Sequence, residues 1–241
     1  MTRSQERLRI ESADNLSAAA GSGPAAPLNS GNPVPSSRLR SIASAGMRLL
    51  RYAALERSYE RYYSPEEWEK TYRDGYRLDG TEQDGRYGAL LAVINRYDRG
   101  GPILDAGCGD GILERRYREL SGTRMVGIDF SERAIEQAQA RRLPDCEFHC
   151  ADYRRFMSEE KFTAVVFNES LYYVEDFLGA VDALGRYLSA GGVTIISMFE
   201  TVVTRRIWNA LATRHKRLQG VAVCDEATRR LWRVRVLQPL G

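Results

Sequence analysis

The residues with the most evident chemical meaning form the run Asp105-Ala106-Gly107-Cys108-Gly109-Asp110-Gly111, three alternating glycines behind an acid that follows a short apolar stretch. Glycine-rich turns let a backbone approach a nucleotide closely and aim the start of the next helix at it. A dinucleotide turn places glycines at its first, third and sixth positions, the last for close helix packing against a bound pyrophosphate. The sixth position here is Ile112, which argues against a dinucleotide. No Gly-Lys-Ser/Thr follows, so the phosphate-cradling P-loop is excluded as well. A nucleotide that lacks phosphates has no need of the third glycine.

Aromatic side chains form a second grouping. Residues 58–80 hold five Tyr and one Trp within 23 positions. Ser64-Pro65-Glu66-Glu67 reads as an N-cap, a proline at the first helical position and acids in the first turn. On the helix that follows, Trp68 and Tyr72 are one turn apart and share a face. That spacing fits a packing stripe and equally a lid over a ligand. Other reactive residues are few. The two histidines are His149, in a strand-like run, and His215, in a run that reads as a basic, solvated helix. Cys108, Cys146, Cys150 and Cys224 show no paired metal-ligand spacing and read as buried free thiols, so no metal is expected.

The elements that must position these groups can be read from periodicity. Tyr87, Leu90, Leu91, Ile94 and Tyr97 mark a helix closed by Gly100-Gly101. PILDAG, MVGID, CEFHCA, FTAVVF and VTIISM read as five short strands. Helices separate them: one with Leu113, Tyr117 and Leu120 on a face, one capped by Ser131, and one carrying Phe177, Val181, Leu184 and Leu188 up to Gly191-Gly192. Strands alternating with amphipathic helices imply right-handed crossovers and a parallel sheet covered on both faces. A basic helix is expected over 204–218. After it, GVAVCDE and LWRVRVL are joined by too few residues for a crossover, so they must pair antiparallel.

With 241 residues, the chain accommodates one sizeable domain with extensions. Residues 1–37 are rich in Ser, Ala, Gly, Pro and Asn and read as a disordered tail. Residues 38–83 read as a helical, aromatic lid, beginning with a basic amphipathic helix, and 84–241 as the main domain. No apolar run reaches the roughly 18 residues of a membrane span, and no secretory pattern opens the chain, so a cytoplasmic protein without a membrane partner is expected. From Thr201 onward nine Arg and Lys face two acids, a solvated face or a dock for an acidic partner.

The glycine run is similar to the first motif of class I S-adenosylmethionine (SAM) methyltransferases, and the resemblance extends over about 84–240. It implies a Rossmann-like, doubly wound α/β fold of seven strands, mostly parallel with a C-terminal antiparallel hairpin, plus the N-terminal helical lid. It implies SAM as cofactor, with S-adenosylhomocysteine as the product of methyl transfer. Asp105 would lie near the methionyl amino group, with Gly107, Gly109 and Gly111 forming the turn. Asp129, 20 residues beyond Gly109, matches the acid that accepts from the ribose hydroxyls, followed by Phe130. Asp152 matches the acid that accepts from the adenine amino group, with Tyr153 beside the ring. The fourth motif is Val166 to Tyr173, in which Asn168 adjoins cofactor and acceptor.

SAM carries an activated sulfonium, so an enzyme must align a nucleophile, exclude water and take up a proton where one is lost. Aromatic faces hold such a cation by roughly 0.5–2 kcal/mol, a purpose for Trp68, Tyr72, Tyr172 and Tyr173 beyond packing. Many relatives have a His where Tyr173 stands. The base candidates are therefore Glu169, Tyr173 or a water, with Asn168 and Tyr172 in the same catalytic segment. Asn168 lacks the Pro-Pro-aromatic sequel of nucleobase methyltransferases, so nucleic acid is not expected and a small molecule, free or on a carrier protein, is the acceptor class. NESLYY resembles the fourth motif of bacterial natural-product and nodulation-type methyltransferases. Two other outcomes suit the same fold: cyclisation of SAM to azetidine-2-carboxylate and methylthioadenosine, and a SAM-binding module without catalysis.

Overall fold

The computed structural model describes residues 64–76, 84–226 and 229–240. The expected tail over 1–37 and the basic helix over 38–63 lie outside the described residues, as does 77–83. Seven strands form one sheet: β1 (Ile103–Ala106), β2 (Met125–Asp129), β3 (Cys146–Cys150), β4 (Phe162–Asn168), β5 (Leu188–Phe199), β6 (His215–Cys224) and β7 (Leu231–Pro239). Their order is β3-β2-β1-β4-β5-β7-β6. The first five pair in parallel, while β7 runs antiparallel between β5 and β6. Six helices accompany them among the described residues: α1 (Pro65–Arg73), α2 (Asp84–Tyr97), α3 (Ile112–Arg118), α4 (Glu132–Ala140), α5 (Phe177–Gly185) and α6 (Val202–Leu211).

Alternation along the strands sends side chains to two separate cores. Leu104, Ala106, Val126, Ile128, Phe167, Ile196 and Met198 meet α5 and α6 on one face. Ile103, Met125, Ala164, Val166, Ile195, Val234 and Val236 meet α2 and α3 on the other. Asp105 belongs by alternation to the second face and is the acid in that apolar row. Covering both faces explains why the central strands read as unbroken apolar runs. In β7 the alternation is partial, with Trp232, Val234 and Val236 buried and Arg233 and Arg235 half-buried.

Several expectations need correction. Residues 204–218 do not form one helix: α6 ends at Leu211 and β6 begins at His215. The ladder to β7, from His215 opposite Pro239 to Cys224 opposite Leu231, overrides the local pattern, and Leu218 falls at an irregularity between Arg217 and Gln219. His215 is consequently buried rather than solvated, its Nδ1 3.3 Å from the Leu211 carbonyl oxygen. The helix expected to reach Gly191-Gly192 stops at Gly185, because Leu188 joins β5 opposite Phe162. Leu120 lies beyond the end of α3 and is exposed. Only Cys108 is a buried thiol; Cys146 is half-buried, and Cys150 and Cys224 are exposed. No helix among the described residues is long and apolar enough to cross a membrane.

Candidate active site at the strand ends

The C-terminal ends of β1, β2 and β4 lie side by side, and the glycine turn leaves β1 there. The amides of Gly107 and Cys108 both donate to the Ile128 carbonyl, at 2.8 and 3.0 Å, which ties the turn to β2. The Ser170 hydroxyl donates to the Ala106 carbonyl at 2.6 Å, which ties it to the segment after β4. Gly107 has φ +82° and Gly109 φ +56°, and both are pressed by neighbours, Ser170 and the Tyr72 hydroxyl respectively. Glycine fits both demands: it accepts positive φ and leaves the space of a side chain to its neighbour.

Asp129 closes β2 and is nearly buried. Its Oδ2 accepts from the Gly109 amide at 3.0 Å and its Oδ1 from the Ser131 amide at 2.9 Å. Burial raises its pKa to about 6 against the lowering effect of these amides. Each oxygen keeps a lone pair for a further donor, as a ribose diol would supply. Phe130 beside it is 39% exposed, an apolar face presented at the mouth of the site. Asp105 is 1% exposed, and neither of its oxygens meets a donor. It sits in β1 and caps no helix; α3 starts from Gly111 without a side-chain cap. Burial, then the charge of Asp129, raises its pKa to about 8. A buried carboxyl that no N–H or hydroxyl group reaches, at the head of a glycine turn, fits an incoming ammonium group.

Asp152 follows β3 near Asp129, whose carbonyl accepts from the Ala151 amide at 2.9 Å. Arg154 holds it through two side-chain bonds of 3.0 and 2.8 Å and keeps its pKa below the usual carboxylate range. An adenine amino group would share the carboxylate with that exposed guanidinium. Tyr153 reaches across to the Asp176 carbonyl, 3.4 Å away.

The segment after β4 brings Asn168, Glu169, Tyr172 and Tyr173 together. Glu169 has φ +55°, a left-handed backbone that costs a non-glycine residue roughly 1–2 kcal/mol. Its half-buried carboxylate accepts from the Ser197 hydroxyl, the Tyr172 hydroxyl and the Phe199 amide, at 3.0, 3.0 and 3.1 Å. Burial raises its pKa, opposed by the nearby Arg86 charge and by those donors. His149 contributes nothing here: it lies exposed on β3, 3.7 Å from Glu147.

The aromatic helix α1 closes over this end. Its cap is a full box, with the Ser64 hydroxyl accepting from the Glu67 amide and the Glu67 carboxylate from the Ser64 amide, at 3.3 and 3.0 Å. Trp68 stacks edge-on against Tyr173, with ring centroids 4.8 Å apart, and lies 5.9 Å from Tyr72 and 5.8 Å from Tyr76. Tyr172 and Tyr173 are 4.4 Å apart. The lid aromatics and the tyrosines after β4 therefore form one wall. Burial, followed by the charge of Asp129, holds the Tyr72 phenol well above its usual range.

Three residues that matter to this geometry were not picked out in the sequence. Arg86 is buried on α2, and its guanidinium donates to the Asn168 side chain and lies 4.2 Å from the Tyr87 ring centroid. Its signal was an arginine four positions before Leu90 on an apolar stripe. Glu69 on α1 accepts from the Ser131 hydroxyl at 2.7 Å, latching the lid to α4. Glu114 on α3 is fully buried, four positions after Asp110 and within reach of the charges of Asp105 and Asp110.

Comparison with known proteins agrees with this geometry. Residues 103–192 match the family described as "Methyltransferase domain". A malonyl-(acyl-carrier protein) O-methyltransferase of Bacillus cereus is 28% identical over 116 residues, 46% of this chain and 43% of that one. A dTDP-3-amino-3,4,6-trideoxy-alpha-D-glucopyranose N,N-dimethyltransferase of Streptomyces venezuelae is 34% identical over 109 residues, 43% of this chain and 45% of that one. The chain thus spans less than half the length of either relative. Among solved structures, the N-methyltransferase NodS of Bradyrhizobium japonicum, in complex with S-adenosyl-L-homocysteine, superposes with TM-score 0.57 at 21% identity, covering 68% of this chain and 90% of that one. That likeness is one of fold. The match over residues 103–192, together with the sheet order, supports a class I SAM-dependent methyltransferase domain in this part of the chain.

Proposed function

We propose that this protein moves a methyl group from SAM to an N, O or C atom of a small molecule, free or on a carrier protein, in cytoplasmic secondary metabolism. The observation that carries the reading is the buried Asp105 at the head of the glycine turn, whose oxygens no N–H or hydroxyl group reaches. When bound, SAM supplies a methyl group already activated by a sulfonium. The chain's residues do the rest. Asp105 takes the methionyl ammonium, and Asp129 takes the ribose diol while its other lone pairs keep the turn in shape. Phe130 and Tyr153 flank the base, and Asp152 accepts from its amino group. Trp68, Tyr72 and Tyr173 exclude water and present ring faces to positive charge. Arg86 fixes the orientation of Asn168.

For an acceptor that loses a proton, Tyr172 and Glu169 are the pair to move it. The Tyr172 oxygen receives the acceptor's proton while its own passes to Glu169, to which it already donates. Glu169→Gln and Tyr172→Phe are expected to lower kcat about 100-fold for a hydroxyl acceptor and to leave SAM affinity nearly unchanged. An amine acceptor, whose lone pair is free, should lose far less. The wild-type rate should fall as pH drops through the raised pKa of Glu169, because the relay needs its ionised form. Equal losses on amines and hydroxyls would contradict the relay.

The test of the reaction is incubation with methyl-labelled SAM and a panel of amines, alcohols and carboxylic acids, read by mass spectrometry. S-adenosylhomocysteine with label on an acceptor supports transfer. Methylthioadenosine above the spontaneous background, formed without an acceptor, would instead support cyclisation. Binding without any turnover would leave the SAM-binding module.

A further inference from the structure

Glu114 lies one helical turn into α3, beneath the glycine turn and on the same face of the sheet as Asp105. Both side chains are sealed from water, and all four of their oxygens lack an N–H or O–H donor. Gly127 is the register partner of Asp105, so Glu114, which fills the space above Gly127, stands beside Asp105, and each carboxyl alters the other's proton affinity. The niche is a built one. A Cβ added to Gly127 of β2 would stand 2.8 Å from Glu114 Oε1, 2.8 Å from Cys108 Sγ and 2.7 Å from the Phe148 ring. The missing side chain on β2 is what gives the second acid its room. Two ionised carboxylates cannot share such a site, and a proton on one supplies the donor that the other lacks.

Resting on the reading that SAM binds here, we infer that Glu114 remains a neutral acid which donates its hydrogen bond to Asp105, so that capture of the methionyl ammonium expels one proton from Asp105. Before capture, Asp105 holds a proton because it is buried near Asp129. When an ammonium arrives, the Asp105 O–H bond breaks, its electron pair stays on the carboxylate, and the proton leaves to solvent. Glu114 keeps its own proton throughout and steadies the new anion. It acts through Asp105 and is a positioning residue.

The other titratable groups around the pair do not reverse this. From β2, Asp129 adds negative charge and favours protons on the pair. From the turn, the Cys108 thiol is itself pushed up by burial and by Glu114, so it stays neutral. Asp110 adds further negative charge next to Glu114 but is paired with Arg141 at the end of α4. From α2, the Tyr87 phenol is pushed up by burial and remains neutral, while the Arg86 charge beside it is directed at Asn168.

The sign follows. Below the raised pKa of Asp105, about 8, binding must drive off a proton; above it, none is held. Affinity should therefore climb with pH, up to about tenfold per unit, and level off near that value. The test uses the full chain and S-adenosylhomocysteine, which carries the same ammonium. Calorimetry at pH 7 in two buffers of different ionisation enthalpy should show release of about one proton per ligand bound. Glu114→Met, which has no donor, should weaken binding at pH 7 about tenfold and move the inflection upward. Glu114→Gln, which keeps a neutral donor, should recover most of that loss.

Absence of proton release in the wild-type chain would overturn the inference without any variant, so a variant that fails to fold does not shield it. Equal losses for Gln and Met would overturn it too, since Glu114 would then be acting as an anion. If the wild-type chain binds no S-adenosylhomocysteine at any pH, the SAM reading falls together with this one. Binding without proton release leaves the SAM reading standing and removes only the inference.

Discussion

Asp129→Ala is expected to weaken S-adenosylhomocysteine binding by at least 100-fold in an equilibrium titration. The carboxylate stands at the meeting of two tasks. It anchors the glycine turn through Gly109 and the start of α4 through Ser131, both by backbone amides at 3.0 Å or less. Its remaining lone pairs are the acceptors for a diol. Hydrogen bonds to a charged group are worth about 1.5–3 kcal/mol each, and two of them lost would account for the change, at 1.4 kcal/mol per tenfold. Asp129→Asn should also weaken binding, because its oxygen can accept from only one of the two backbone amides and its NH2 opposes the other. The melting temperature should fall as well, since the amides of Gly109 and Ser131 lose their partner. A variant that binds within threefold of wild type would remove Asp129 from the site.

The second large effect is expected at the turn itself. Gly107→Ala should abolish measurable cofactor binding and lower the melting temperature, because the new Cβ would stand inside the contact distance of the Ser170 Cβ at φ +82°. Ser170 is fixed there by its bond to the Ala106 carbonyl and cannot retreat without moving the end of β4. Gly109→Ala makes an instructive contrast. Its Cβ would meet the far end of Tyr72, with the hydroxyl oxygen at 2.6 Å. That tip belongs to the lid, so the double variant Gly109→Ala/Tyr72→Phe should bind better than Gly109→Ala alone. What then remains is the cost of alanine at positive φ, about 1 kcal/mol. No rescue by Tyr72→Phe would mean that the lid does not rest on the turn.

The glycine turn, Asp105 and Asp129 were legible in the sequence because each is local, an acid or a glycine at the end of an apolar run. The seven strands were legible for the same reason, as was the need for an antiparallel pair after β5. What escaped depends on distant partners. Glu69 looks like any surface acid on α1 until its bond to Ser131, 62 positions away, is seen. Arg86 looks like an interruption in an apolar stripe until Asn168, 82 positions on, supplies its acceptor. Residues 212–218 carry helical composition, yet nine paired positions with β7 draw His215 into a strand. The exposed Cys150 and Cys224 break the rule that free thiols are buried, because each lies at an end of its strand, in β3 and β6 at the two edges of the sheet.

The most direct test of the central claim is a parallel titration of the folded chain with S-adenosylhomocysteine and with NADH. A turn whose sixth position is Ile112, held by Asp129 and headed by the buried Asp105, should bind the first at a single site and ignore the second. Saturable binding of NADH, or no binding of S-adenosylhomocysteine by a chain that melts cooperatively, would contradict the account.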